Sequence, residues 1–290
     1  MKLSQFLSRL LVNLYRFKFI FYYLYMKSLY NTIVDNDKID GHIHLFDHQF
    51  VINDYKTMSD KDCVGFMDID FEHLNKYDCQ SVLQYYDNYI NNYYTNNVTL
   101  LSTGIDVNTM ITTYNKYPNI IKGFGELKCY GKYTSASGKT ISLPFGNLDW
   151  ITPLCDFNKT LKLPIYIHWY VFDNDRKQEL HNLLTQYPTI PFVLCHCGMS
   201  PFRDYTKQYE LVTDLLLTHN NLYVDISYEC IFFFNEHPEY LRPLFGRCLL
   251  GTDLNRKCIM NKNDNKYIDA FNSLYNINLN YKNTYNKLFK

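Results

Sequence analysis

Two imidazoles sit two residues apart in the stretch Asp40-Gly41-His42-Ile43-His44. On a β-strand such residues share a face, so His42 and His44 can aim at one ion. Neutral imidazole is a good ligand for zinc and other borderline metals. The pair alone is a weak signal, because strands also bury histidines whose nitrogens are already hydrogen-bonded. Three other short apolar stretches strengthen it, each ending in a metal-competent side chain. Residues 163–168 end in His168, 191–196 in His196, and 249–253 in Asp253. One such ending is a coincidence. Several in the same structural position define a cage of His42, His44, His168, His196 and Asp253.

The elements that position these residues follow from periodicity. Short apolar runs fall at 39–45, 63–68, 97–103, 120–127, 163–169, 191–196, 221–226 and 247–252. The segments between them, such as 73–94, 107–117, 175–187 and 206–219, have helical length. This alternation predicts an α/β protein with a parallel sheet wrapped by helices. Eight units favour closure into a (β/α)8 TIM barrel, whose usual size of about 250 residues fits a chain of 290. Barrel active sites are built at strand C-termini, where the candidate ligands fall. The domain plan is an apolar N-terminal extension over 1–37 and a barrel over 38–290. The stretch 131–147, with Gly131, Ser135, Ser137, Gly138, Pro144 and Gly146, reads as a long loop beside the site.

These residues resemble the amidohydrolase superfamily over about residues 38–256. The likeness is strongest to the amidohydrolase-related branch, with some TatD-like character. That family carries HxH on the first strand, His on the fifth and sixth, and Asp on the eighth; here these are His42, His44, His168, His196 and Asp253. The stretch 221–227 is similar to the branch's seventh strand. The fourth strand, Gly123-Phe124-Gly125-Glu126-Leu127-Lys128, offers two matches. Glu126 matches the TatD-like glutamate that bridges two metals, and Lys128 the carbamylated lysine of other members. The two share a face and can also pair with each other. The sequence after Glu126, Lys128-Cys129-Tyr130, departs from the TatD-like acidic signature.

The resemblance implies a metal-dependent hydrolase of a small-molecule amide, ester or lactone-type bond. The cofactor is one or two divalent ions, zinc first and manganese as an alternative. A divalent ion lowers the pKa of bound water and polarises the substrate oxygen. Asp253 then serves as general base, and His196 binds a second metal or orients the substrate. Arg203 and Trp169 are candidate substrate-binding residues, with Tyr170 a further candidate for the pocket wall, and Asp40 a candidate to orient a ligand histidine. A metal-dependent decarboxylase, a TatD-like phosphodiesterase and a non-catalytic barrel are the alternatives.

Composition narrows the classes. Lys+Arg and Asp+Glu both number 29, a balance that disfavours a partner bound through bulk phosphate contacts. Nine scattered cysteines argue for reduced thiols and a cytoplasmic setting rather than a disulfide scaffold. Cys195 alternates with His196 and is expected to face the helices; Cys197 lies past the strand. The tyrosines 85, 86, 89, 93 and 94 read as helix faces half-buried against the barrel. Asp47, His73, His181, His219 and His237 are titratable side chains expected to face solvent or cap helices, while His48 and Glu229 are further candidates to line the pocket. Residues 1–37 admit a helix on the barrel floor, a signal anchor, or peripheral membrane contact through Arg9, Arg16, Lys18 and Lys27.

Overall fold

The computed structural model describes residues 39–45, 63–67, 79–92, 94–96, 98–103, 106–129, 132–134, 140–142, 147–201, 203–227, 230–253, 264–277 and 279–290. The N-terminal extension, Asp47, His48, His73, Tyr93, Glu229 and the side chain of His44 lie outside that set. In chain order the elements are β1 (Asp40–Leu45), β2 (Cys63–Met67), α1 (Cys79–Asn92), β3 (Val98–Ser102), α2 (Val107–Lys116) and β4 (Ile121–Lys128). They continue with β5 (Lys132–Thr134), β6 (Thr140–Ser142), α3 (Thr152–Asn158), β7 (Ile165–His168), α4 (Asn174–Gln186) and β8 (Phe192–Leu194). The last are α5 (Tyr205–Thr218), β9 (Leu222–Ile226), α6 (Cys230–Glu236), β10 (Cys248–Leu250), α7 (Asp264–Asn276) and α8 (Tyr281–Phe289).

Eight strands form one sheet in the order β1-β2-β3-β4-β7-β8-β9-β10. Every ladder between them is parallel. The expected (β/α)8 barrel is therefore present, and its strands fall where the apolar runs lie. One expectation needs correction. The segment after β4 is not wholly loop: β5 and β6 pair as an antiparallel hairpin. The triplets Lys132-Tyr133-Thr134 and Thr140-Ile141-Ser142 carry β-branched and aromatic residues, which suits paired strands.

Strand alternation divides the apolar residues into two layers. Tyr166, Val193, Tyr223 and Leu249 point into the barrel, where they meet Ile39, Val64, Phe66 and Leu101. Their neighbours Ile165, Ile167, Phe192, Leu194, Leu222, Val224, Cys248 and Leu250 point out against the helices. Tyr86 and Tyr89 of α1 are buried in that outer layer, with Tyr85 and Tyr94 packed on it, as the helix-face reading expected. The last helix, α8, closes the floor of the barrel. Its Tyr285 and Leu288 join the inner cluster, and the Tyr285 hydroxyl meets Thr99 Oγ1 at 2.5 Å.

The barrel closes between β1 and β10 without a strand ladder among the described residues. A buried carboxylate takes that place. Asp40 Oδ1 accepts the Thr252 N–H at 2.9 Å and the His42 N–H at 3.1 Å, and Oδ2 accepts the Thr252 hydroxyl at 2.6 Å. The Asp253 N–H reaches the His42 carbonyl at 2.8 Å. Burial pushes the Asp40 carboxyl up to about 6 against these hydrogen bonds. Asp40 thus holds backbone across the seam, rather than an imidazole ring as expected. Gly251 permits the close approach: a Cβ there would lie 2.5 Å from His42 Cβ.

Candidate metal centre

His168, Cys195, Asp225 and Asp253 continue the inward positions of their strands, two or four residues beyond Tyr166, Val193, Tyr223 and Leu249. Glu126 needs a different device. Phe124 and Leu127 both face the outer layer, so simple alternation would misplace the glutamate. The register of β4 on β7 shifts between Phe124 and Leu127, at a bulge where Gly125 has φ 127°. The bulge turns Glu126 inward.

His196 enters by another route. β8 ends at Leu194, and His196 and Cys197 both have φ 53°. This left-handed turn swings the His196 ring into the barrel mouth. A non-glycine residue in this region costs on the order of 1 kcal/mol or more and persists where neighbours fix it. Here Asp225 Oδ1 accepts the His196 N–H at 3.1 Å, and Met199 N–H closes on the His196 carbonyl at 3.0 Å. The expectation that Cys195 faces the helices is overturned for the same reason. Cys195 is the inward residue of the β8 end and sits in the inner cluster, grouped with His42 and Asp225. Cys197 is fully buried in the outer layer.

The side chains converge. Glu126, His168 and His196 offer ligand atoms that all lie within 4.8 Å of one another, and all three residues are buried. Glu126 Oε1 contacts His168 Nδ1 and lies 3.8 Å from His196 Nε2. Asp253 Oδ2 is 4.0 Å from His196 Nε2, and its Oδ1 is 3.6 Å from His42 Nε2. The His42 and His196 rings stack with centroids 5.4 Å apart. Lys128 Nζ is 3.4 Å from Glu126 Oε2, so these two side chains pair as their shared face allowed. Tyr170 hydroxyl lies 2.7 Å from His168 Nε2. With Nδ1 donating to Glu126, Nε2 accepts from the phenol.

Asp225 is the residue the sequence reading missed. It lies at the base of the cluster, fully buried, and touches both neighbouring histidines. Its Oδ2 is 3.0 Å from His42 Nδ1, so His42 donates there and turns Nε2 to the centre. Ser227 gives its hydroxyl proton to Asp225 Oδ1, so its oxygen, 2.8 Å from His196 Nδ1, must accept from that ring. His196 Nε2 then carries a lone pair toward the centre. One carboxylate fixes the tautomer of two candidate ligands, the arrangement that metal-bound histidines require. The available signal was a lone aspartate inside the apolar run 222–226.

The electrostatics agree. Burial opposes charge on His42, yet Asp225, with help from Asp253 and Glu126, holds its pKa up at about 9. The same carboxylates give the centre a negative potential that favours a cation. Burial lowers His196 to about 4, which keeps its imidazole neutral. Burial raises Glu126 and Asp225, but Lys128 and His168 for the first, and His42 for the second, bring both below the usual carboxylate range. Two imidazoles and a carboxylate within reach of one point form a donor set that fits a divalent ion.

The remaining candidates divide. Trp169 is not at the cluster: it is fully buried in the outer layer, its indole N–H donating to the Arg176 carbonyl at 3.2 Å. Arg203 is exposed on the loop after His196, its guanidinium 5.3 Å from the Phe172 ring centre. His181 and His219 pair at 2.8 Å between α4 and α5, away from these contacts, and His237 lies beside Glu239. The eight described cysteines are free. Among the described residues no helix is long and apolar enough to cross a membrane.

No protein-family model matches the sequence. No curated protein matches it either. Solved structures do match in shape. A protein from Agrobacterium tumefaciens in its apo form superposes with TM-score 0.58 at 10% identity, covering 89% of this chain and 97% of that one. An amidohydrolase from Burkholderia multivorans with bound zinc gives TM-score 0.53 at 8% identity, covering 83% and 92%. A probable 2-pyrone-4,6-dicarboxylic acid hydrolase from Acinetobacter baumannii, with citric acid bound, gives 0.52 at 15% identity and the same coverage of 83% and 92%. What these likenesses establish is architecture: the chain folds as a (β/α)8 barrel of the kind that amidohydrolase-type proteins share.

Proposed function

We propose that this barrel is a metal-dependent hydrolase of a small molecule, cleaving an amide, ester or lactone-type bond. The observation that carries the reading is the convergence of Glu126, His168 and His196 within 4.8 Å, with Asp253 beside His196 and His42. His42, His168, His196, Asp253 and Glu126 are the proposed ligands, with His44 a further one from the same strand as His42. Zinc suits this nitrogen and oxygen set, and a zinc-containing neighbour shares the fold. When bound, the ion supplies Lewis acidity and brings the pKa of water at the site toward neutrality.

The protein's own groups do the rest. Asp253 takes the proton of the attacking water and returns it to the leaving group. Its φ of 47° and its N–H bond to the His42 carbonyl fix the carboxylate at the mouth. Asp225 and Ser227 hold the His42 and His196 rings with Nε2 inward. Elemental analysis of purified protein is the first test, with one or two site-bound ions per chain expected. No bound ion after reconstitution with zinc or manganese defeats the reading. With a substrate from a panel of lactones, amides and esters, Asp253→Asn is expected to lose 10²-fold or more in kcat, about the contribution of one general base. Full turnover by that variant removes Asp253 from the role.

A further inference from the structure

We propose that Arg176, Arg203 and Phe172 form an anion subsite that receives a carboxylate carried by the substrate; the inference rests on the hydrolase reading and names its substrate class. β7 ends in His168 and the loop after it carries Tyr170 and Phe172, while the segment after β8 carries His196 and Arg203. The Val171 N–H donates to the Gly198 carbonyl at 2.8 Å, which ties the two loops together just beyond His168 and His196. Phe172 and Arg203 thus stand on the rim that the two histidines begin.

Two guanidinium groups approach the same ring there. Arg203 lies 5.3 Å from the Phe172 ring centre and Arg176 lies 5.4 Å from the same centre. Arg176 is also stacked on the buried Trp169 ring at 4.1 Å, and its carbonyl holds the Trp169 indole. The tryptophan expected to wall the pocket is instead the platform that fixes this arginine. No carboxylate among the described residues forms an ion pair with either guanidinium. Asp173 uses Oδ1 to accept the Arg176 backbone N–H at 2.9 Å as the N-cap of α4, and Asp204, next to Arg203, accepts backbone N–H groups as the N-cap of α5.

Two like charges around one ring, neither in an ion pair with an acid among the described residues, repel each other. A ligand anion relieves that repulsion. Guanidinium is planar and matches a carboxylate with two parallel hydrogen bonds. Phe172 supplies an apolar face for the ligand's carbon frame, and the half-buried, stacked Arg176 gives up little freedom when it binds. Together these favour an organic acid over a bare inorganic ion.

Isothermal titration of the zinc-loaded full chain with benzoate, benzamide and inorganic phosphate tests this. Benzoate is expected to bind, with benzamide and phosphate each much weaker. Arg203→Gln, an exposed change, is expected to weaken benzoate about tenfold, the loss of one charge-assisted contact. Arg176→Lys keeps the charge and removes the fork, and a smaller loss of benzoate affinity is expected at unchanged melting temperature. Equal benzoate affinity in wild type and Arg203→Gln overturns the proposal, as does benzamide or phosphate matching benzoate. Zinc content measured on the same samples separates the two ideas. Bound zinc with Arg203-independent benzoate binding defeats the subsite alone, whereas absent zinc defeats the hydrolase reading.

Discussion

Asp225 has more consequences than any other single side chain near the cluster. It sets the ring orientation of His42 directly and that of His196 through Ser227. Removing its charge should loosen both rings while leaving the donor atoms present. Asp225→Asn is therefore expected to bind zinc about 10–100-fold more weakly, the usual cost of losing such a support. Chelator competition measures it, with circular dichroism to establish that the barrel remains. Affinity equal to wild type would show that the rings are fixed by packing alone. At this scale the sequence was legible wherever a ligand sits in regular alternation. His42 and His168 needed only strand parity, and Asp253 keeps that parity three residues past the end of β10. His196 reaches the cluster through a left-handed turn and Glu126 through a bulge, and neither device leaves a parity signal. Cys195 was misread for the same reason: the strand stops two residues sooner than its apolar run. Asp225 obeyed parity, but a role shared between two partners on other strands cannot be seen in a local pattern.

The helices expected over 107–117, 175–187 and 206–219 fall within a residue of their observed bounds, and local caps help to set where they start. Asp106, Asp173 and Asp204 each accept backbone N–H groups at the start of α2, α4 and α5. What the helices do to each other was not legible. His181 on α4 and His219 at the end of α5 meet at 2.8 Å, and Lys177 pairs with Asp214 across the same two helices. Burial, then His181 and Arg247, lower the His219 pKa from its ordinary 6.5. A histidine depressed in the folded state is protonated more readily when unfolded. Its contribution to stability is full above about 6.5 and is lost as pH falls below that value. The melting temperature should drop between pH 7 and pH 5, and His219→Asn should flatten part of that drop. An identical pH slope in the variant would move the effect to other groups.

Across the whole molecule, two closures hold the barrel. The floor is α8, whose Tyr285 and Leu288 complete the inner cluster. Leu288→Ala is expected to cost about 2–4 kcal/mol in urea denaturation, the range for a buried leucine that leaves a cavity. A loss under 0.5 kcal/mol would mean that α8 does not seal the interior. The other closure is the seam where Asp40 grips Thr252. Those residues lie 212 apart in the chain. At synthesis rates of about 5–20 residues per second, the first strand waits on the order of ten to forty seconds for its partner. Until then β1 presents an unpaired edge, a hazard for pairing with other chains. His42 and Asp253 meet only when the last unit docks. The full set of proposed ligands is therefore assembled only after the eighth barrel strand has been made and the ring has shut.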